Sequence, residues 1–141
     1  LYSMGTSCAE LIEAAGGFKD GAEKIISGGP MMGFALFSTD IPTTKTSSSL
    51  LCFAKDEVSK YEPINCMNCG RCADVCPEKL IPSRLAKYGE NGLMAEFEQW
   101  NGLECIECGS CSYVCPSRRH VAQSIKTMKK QVLAEKRKQN S

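Results

Sequence analysis

Ten of the 141 residues are cysteines, and eight of these fall into two blocks of identical spacing. Residues 66–77 read Cys-Met-Asn-Cys-Gly-Arg-Cys-Ala-Asp-Val-Cys-Pro; residues 105–116 read Cys-Ile-Glu-Cys-Gly-Ser-Cys-Ser-Tyr-Val-Cys-Pro. The four cysteines, glycine, valine and proline match in register at an offset of 39 residues. Thiols at this density serve disulfides of secreted domains, zinc, or iron–sulfur clusters. Zinc sites usually separate two Cys-x2-Cys pairs by about 15–20 residues, and neither the third cysteine nor the Cys-Pro ending fits that pattern. Disulfides would need compatible partners among tightly packed cysteines, and the duplication has no role in such a scheme. Cys-x2-Cys-x2-Cys-x3-Cys-Pro is instead the bacterial spacing for a [4Fe–4S] cluster.

That spacing has a physical cause. Three thiolates in succession at three-residue intervals would drift around a straight helix and along its length, but a loop curled around a cube can aim each at a different iron. Gly70 and Gly109 are expected where the backbone turns and approaches the cluster, since a Cβ would clash there. The curl also points amide N–H groups at an anionic centre, which stabilises its charge and raises its potential. The fourth cysteine points away from its own triad, and in two-cluster proteins it completes the other cube. The ligand sets expected are Cys66, Cys69, Cys72 and Cys115 for one cluster, and Cys105, Cys108, Cys111 and Cys76 for the other.

The elements around these motifs read as follows. Hydrophobic residues at 43% and charged residues at 23% describe a folded chain, and no run approaches the roughly 20 apolar residues of a bilayer-crossing helix. Net charge is +1, which gives no global bias toward nucleic acid. Residues 1–65 carry 5 basic and 8 acidic side chains, whereas residues 66–141 carry 12 and 8. No signal peptide is expected, and Leu1 to Met4 read as a cloning scar. Ser7 and Glu10 form a capping box at the start of a helix whose apolar face is Cys8, Leu11, Ile12 and Ala15, ended by Gly16-Gly17. Lys24–Ser27, Phe34–Phe37 and Leu50–Ala54 read as strands separated by turn residues, a marginal core that partner strands would complete. Pro82 to Tyr88 and Leu93–Trp100 read as short helices, with Asn101-Gly102 turning into the second motif. Val121, Ile125, Met128 and Val132 form a helical stripe after it. Residues 66–116 are expected to hold little apolar core of their own, so metal and fold should be coupled there.

Several residues take plainer roles. Cys8 and Cys52 are read as buried structural thiols, His120 as a solvated side chain near a helix start, and Arg71 as a surface residue, with electrostatic tuning of its cluster as the alternative. Gly28-Gly29-Pro30 is a turn and not a dinucleotide fingerprint. The basic C-terminal face is read as solvated surface, with docking to a partner or an anionic membrane as the alternative. No Ser/His/Asp arrangement, acid–base carboxylate pair, P-loop or ligand pocket is evident.

With these blocks placed, the chain resembles the C-terminal part of the RnfC family, the C subunits of the Rnf (Rsx) electron-transport complex. The resemblance rests on Gly5-Thr6-Ser7, the run Leu11 to Gly17, the Ile-Ser-Gly-Gly-Pro-Met-Met-Gly block of residues 26–33, Thr43 to Thr46, and the two cysteine motifs. It implies an α+β fold: a partial β-grasp segment of the soluble-ligand-binding type (5–60), then an α-helical ferredoxin domain with two cubane clusters (61–141). It implies a one-electron relay in a peripheral subunit on the cytoplasmic side of the cell membrane, beside other Rnf subunits and a ferredoxin-type redox partner, with no nucleic acid. The complex exchanges electrons between ferredoxin and NAD and pumps sodium ions or protons; FMN and NAD(H) are expected only on an upstream region. A relay subunit of fumarate reductase or heterodisulfide reductase type, or a non-enzymatic cluster-binding redox module, are the alternatives.

Overall fold

Ser7 accepts a hydrogen bond from the Glu10 N–H while the Glu10 carboxylate accepts one from the Ser7 N–H, so the first helix begins where its sequence predicts. In the computed structural model, which describes residues 2–18 and 21–139, this helix is α1 (Cys8–Ala14). Leu1, the first residue of the segment read as a scar, lies outside the described residues. The Gly17 N–H bonds to the Ile12 carbonyl and the Gly16 N–H to that of Glu13, closing the helix with both glycines in the left-handed region. Cys8 and Ile12 are buried. Ala15, expected on the same face, is exposed because the helix stops one residue before it.

Contacts divide the chain into residues 1–60 and 61–141. In the first unit β1 (Lys24–Ser27) lies between β2 (Phe34–Leu36) and β3 (Leu50–Phe53) in an antiparallel sheet of order β2-β1-β3. Ile25 stands opposite Leu36 on one side and Cys52 on the other. Cys52 is exposed, which corrects the buried reading: β3 is an edge strand, and one short helix does not cover the sheet face it belongs to. Between α1 and β3 an open hollow of about 510 Å³ is lined by Cys8, Leu11, Ile12, Leu50 and Cys52, where sequence showed none. Lys24 Nζ bonds Asp56 Oδ2 at 3.0 Å and ties the strand to the segment after β3. The ammonium holds the Asp56 carboxyl below its ordinary value.

The second unit contains α2 (Arg71–Asp74), α3 (Pro82–Glu90), α4 (Met94–Gln99), α5 (Ser110–Tyr113) and α6 (Val121–Gln139). Its core joins Leu80, Leu85, Ala86, Phe97 and Cys111 to the α6 stripe Val121, Ile125, Met128 and Val132. The expectation of little core in 66–116 is therefore corrected: the segment contributes five residues to this core, and α6 supplies their partners from outside it. Helix α3 packs on α6 so closely that a Cβ at Gly89 would stand 2.8 Å from the Ser124 carbonyl oxygen. The Ser112 hydroxyl accepts from the Ala122 N–H at 2.8 Å and satisfies one of the free donors at the start of α6. Several α6 cations are engaged internally: Lys136 with Glu98, Lys126 with Glu107, and Lys129 with the Cys105 carbonyl at 2.6 Å.

Candidate metal centre

Each cysteine motif is a backbone curl followed by one turn of helix, and the curl repeats residue for residue. Gly70 and Gly109 have φ of 79° and 83° and stand immediately before α2 and α5. Asn68 and Glu107 also lie in the left-handed region, at 57° and 60°, as do Lys79 and Arg118 after each Cys-Pro, at 53° and 49°. All three pairs share the 39-residue offset of the motifs. For residues with a Cβ this backbone costs roughly 1–2 kcal/mol each, so the curl is held against a local preference. Glycine is legible in sequence as such a position; Glu107, Lys79 and Arg118 are not.

The curls group the eight thiols into two hollows. The first, about 120 Å³, is lined by Cys66, Cys69 and Cys72 of the first motif and Cys115 of the second. The second is lined by Cys105, Cys108 and Cys111 with Cys76 of the first motif. Thus each triad shares a hollow with the fourth cysteine of the other block. The second hollow is tighter, about 20 Å³, little more than a water requires, so its side chains must turn outward to admit a cube. Among the described residues no three His, Cys, Asp or Glu side chains converge on a point that could hold a single metal ion. The four soft sulfurs that line each hollow are the donors that iron–sulfur clusters use.

The two hollows differ in exposure and charge. Cys66 and Cys69 are exposed; of the second set none is, and Cys111 is buried. Burial pushes the Cys111 thiol up to about 11 and raises Cys105, while the Ser110 hydroxyl, 3.5 Å from Cys108 Sγ, lowers that of Cys108. Arg119, paired with Glu90, stands in the first wall, whereas Glu78 and Glu107, the latter paired with Lys126, stand in the second. Ser117, also in the first wall, is 2% exposed, and its Oγ has no hydrogen-bond partner. A buried hydroxyl left so costs about 1–3 kcal/mol, and an acceptor in this hollow would remove the penalty. An anionic cluster fits that requirement. Sequence reasoning missed Ser117 and Arg119; their positions just after the second Cys-Pro were the available signal. Arg71 is exposed, as is His120 immediately before α6, and Cys8 is buried and lines neither hollow.

Residues 59–116 match a family model described as a 4Fe-4S dicluster domain, and residues 1–35 match one described as an SLBB domain. The chain is 43% identical over 137 residues to the C subunit of the Na(+)-translocating ferredoxin:NAD(+) oxidoreductase complex of Acetobacterium woodii, covering 97% of this chain and 31% of that protein. It is 43% identical over 99 residues to the C subunit of the proton-translocating ferredoxin:NAD(+) oxidoreductase complex of Clostridium ljungdahlii (70% and 22%). It is 37% identical over 136 residues to the C subunit of the ion-translocating oxidoreductase complex of Methanosarcina acetivorans (96% and 30%). The chain thus spans less than a third of the length of these curated relatives.

Proposed function

We propose that this chain, a homologue of the C subunits of ion-translocating (Rnf) oxidoreductase complexes over nearly its whole length, is the part of such a protein that relays single electrons through two [4Fe–4S] clusters. Cys66, Cys69, Cys72 and Cys115 hold one cluster, and Cys105, Cys108, Cys111 and Cys76 the other. The observation that carries this reading is the pairing of each triad with the other motif's fourth cysteine around a hollow. When bound, such a cluster takes up and gives back one electron at a time at a potential set by its surroundings. The chain's own residues do the rest. The left-handed curls fix the thiols, α6 and Phe97 anchor the helices that carry them, and Ser117 offers a hydroxyl donor at the first set, beside the Arg119–Glu90 ion pair.

Residues 5–60 form a partial β-grasp scaffold and residues 61–141 an α-helical ferredoxin domain. The parent protein lies peripherally on the cytoplasmic side of the membrane, beside other Rnf subunits and a ferredoxin-type partner, in a complex that couples electron exchange between ferredoxin and NAD to ion translocation. No helix among the described residues is long and apolar enough to cross a membrane, which suits a peripheral position. FMN and NAD(H) belong to the part of the relatives outside the matched third. The test is anaerobic reconstitution with iron and sulfide, metal analysis, and EPR after dithionite reduction. Eight irons, eight acid-labile sulfides and two interacting one-electron signals are expected; stoichiometric zinc in folded, anaerobically prepared protein would overturn the reading.

A further inference from the structure

We infer that the face carrying Cys66 and Cys69 is the docking surface for a separate one-electron carrier protein whose own contact face is acidic; this deepens the relay reading and rests on it. Electron transfer between proteins weakens steeply with distance, so the port is the set whose thiols reach the surface. Cys66 and Cys69 are exposed, and no thiol of the second set is. Around them stand apolar side chains that a partner would cover. Met67, in the wall of the first hollow, is 56% exposed; Ile64, whose N–H bonds the Ser117 carbonyl at 3.1 Å, is 58% exposed.

Charge then selects the partner. Cys66 and Asn68 also border a polar hollow of about 520 Å³ that is lined by Arg84, Lys87, Arg119 and Glu90. Glu90 is engaged by Arg119 and by the Ser124 hydroxyl, so its charge is answered within the chain. Arg84 and Lys87 remain as surplus positive charge, and Arg84 is held in place with its guanidinium carbon 4.4 Å from the Trp100 ring centre. Among the described residues, the charged side chains lining the second set are the carboxylates Glu78 and Glu107; Lys126 engages Glu107, and Glu78 remains to repel an acidic partner. An apolar centre with a charged rim is the composition of a transient interface, and complementary charge raises the rate of encounter more than the affinity. In the exchange one electron leaves the reduced carrier and enters the first set's cluster; the carrier is oxidised by one equivalent, and no proton or bond is transferred.

The test uses the cluster-loaded chain and a reduced acidic [2Fe–2S] ferredoxin as probe, mixed anaerobically in a stopped-flow instrument at increasing salt. The second-order rate should fall with ionic strength. Lys87→Glu should lower the low-salt rate about tenfold, Lys87→Gln by less, with the difference vanishing at high salt. The cationic carrier cytochrome c, reduced by the prereduced chain, should show the opposite salt response. Circular dichroism and iron content verify that each variant is folded and loaded. A salt-independent rate, or an unchanged rate in Lys87→Glu, overturns the docking proposal, as does a rate governed by Glu78→Lys instead. Loss of both cluster signals in the dithionite-reduced wild type would sink the relay reading itself, so the two failures are distinguishable.

Discussion

Replacing Ser117 with alanine removes one oxygen from a site that is 2% exposed and leaves the backbone contact of the residue, its carbonyl accepting from Ile64, untouched. The expected effect has opposite signs in two states of the protein. Without a cluster the hydroxyl is a buried donor lacking an acceptor, a penalty of about 1–3 kcal/mol that alanine relieves in part. The folded metal-free variant should be at least as stable as wild type. With a cluster, the hydroxyl donates to an anionic group, a bond of about 1.5–3 kcal/mol. Reduction adds one negative charge, so the bond strengthens in the reduced state. If a third to a half of it is gained on reduction, its loss lowers the potential by about 20–65 mV, since about 1.4 kcal/mol corresponds to 59 mV for one electron. An EPR-monitored redox titration of the loaded protein reads this directly. The first set's signal should shift down while that of the second set stays. No shift, or equal shifts in both, refutes the assignment of Ser117 to the first set.

Three further outcomes are expected. Cys76→Ser should perturb the EPR signal of the cluster held by Cys105, Cys108 and Cys111 and spare the other; loss of the signal from Cys66, Cys69 and Cys72 would mean that each motif ligates its own cube. Gly89→Ala forces a Cβ to 2.8 Å from the Ser124 carbonyl, a backbone neighbour that cannot rotate away, and should cost about 1–3 kcal/mol in thermal unfolding of the loaded protein. Asp56→Asn should flatten the acid limb of stability in the sheet unit. The folded carboxyl titrates below its ordinary value of 3.8, so the Lys24 interaction is fully present above that pH and is lost as the pH falls through the lowered value. Hydrogen exchange at β1 and β3 that is identical in the two proteins from pH 7 down to acid would contradict this.

What was legible in the sequence was whatever a period or a repeat announces. The stripe Val121, Ile125, Met128 and Val132 is buried as read, because one face of a long helix leaves few alternatives. The capping box and double glycine bound the first helix because both act within a single turn. Strands at 24–27, 34–36 and 50–53 appear within one residue of their expected ends. Legibility ends where neighbours from elsewhere decide. Cys52 lies in the continuous apolar run 50–54, which reads as a buried strand, but burial depends on what covers an edge strand. The core of the second unit was underestimated because Phe97 finds its partners on α6 and in the turn at Gly102, beyond its own helix. At the metal centre, the cysteines carry their own spacing code, whereas Ser117 has only its hydroxyl. Nothing in residue type marks it as buried and unpaired.

The proposed exchange of fourth cysteines between the motifs has a topological consequence. Neither motif closes a four-thiol set alone, yet two copies close two sets, each lending one arm to the other. This is the connectivity of a domain swap within one chain, with the segment 77–104 as its tether and left-handed residues repeated at matching positions of the two motifs. Such a clasp cannot be divided into independent halves by cutting the tether. Assembly of either set must draw both motifs together, so the first to form preorganises the second and loading should be cooperative.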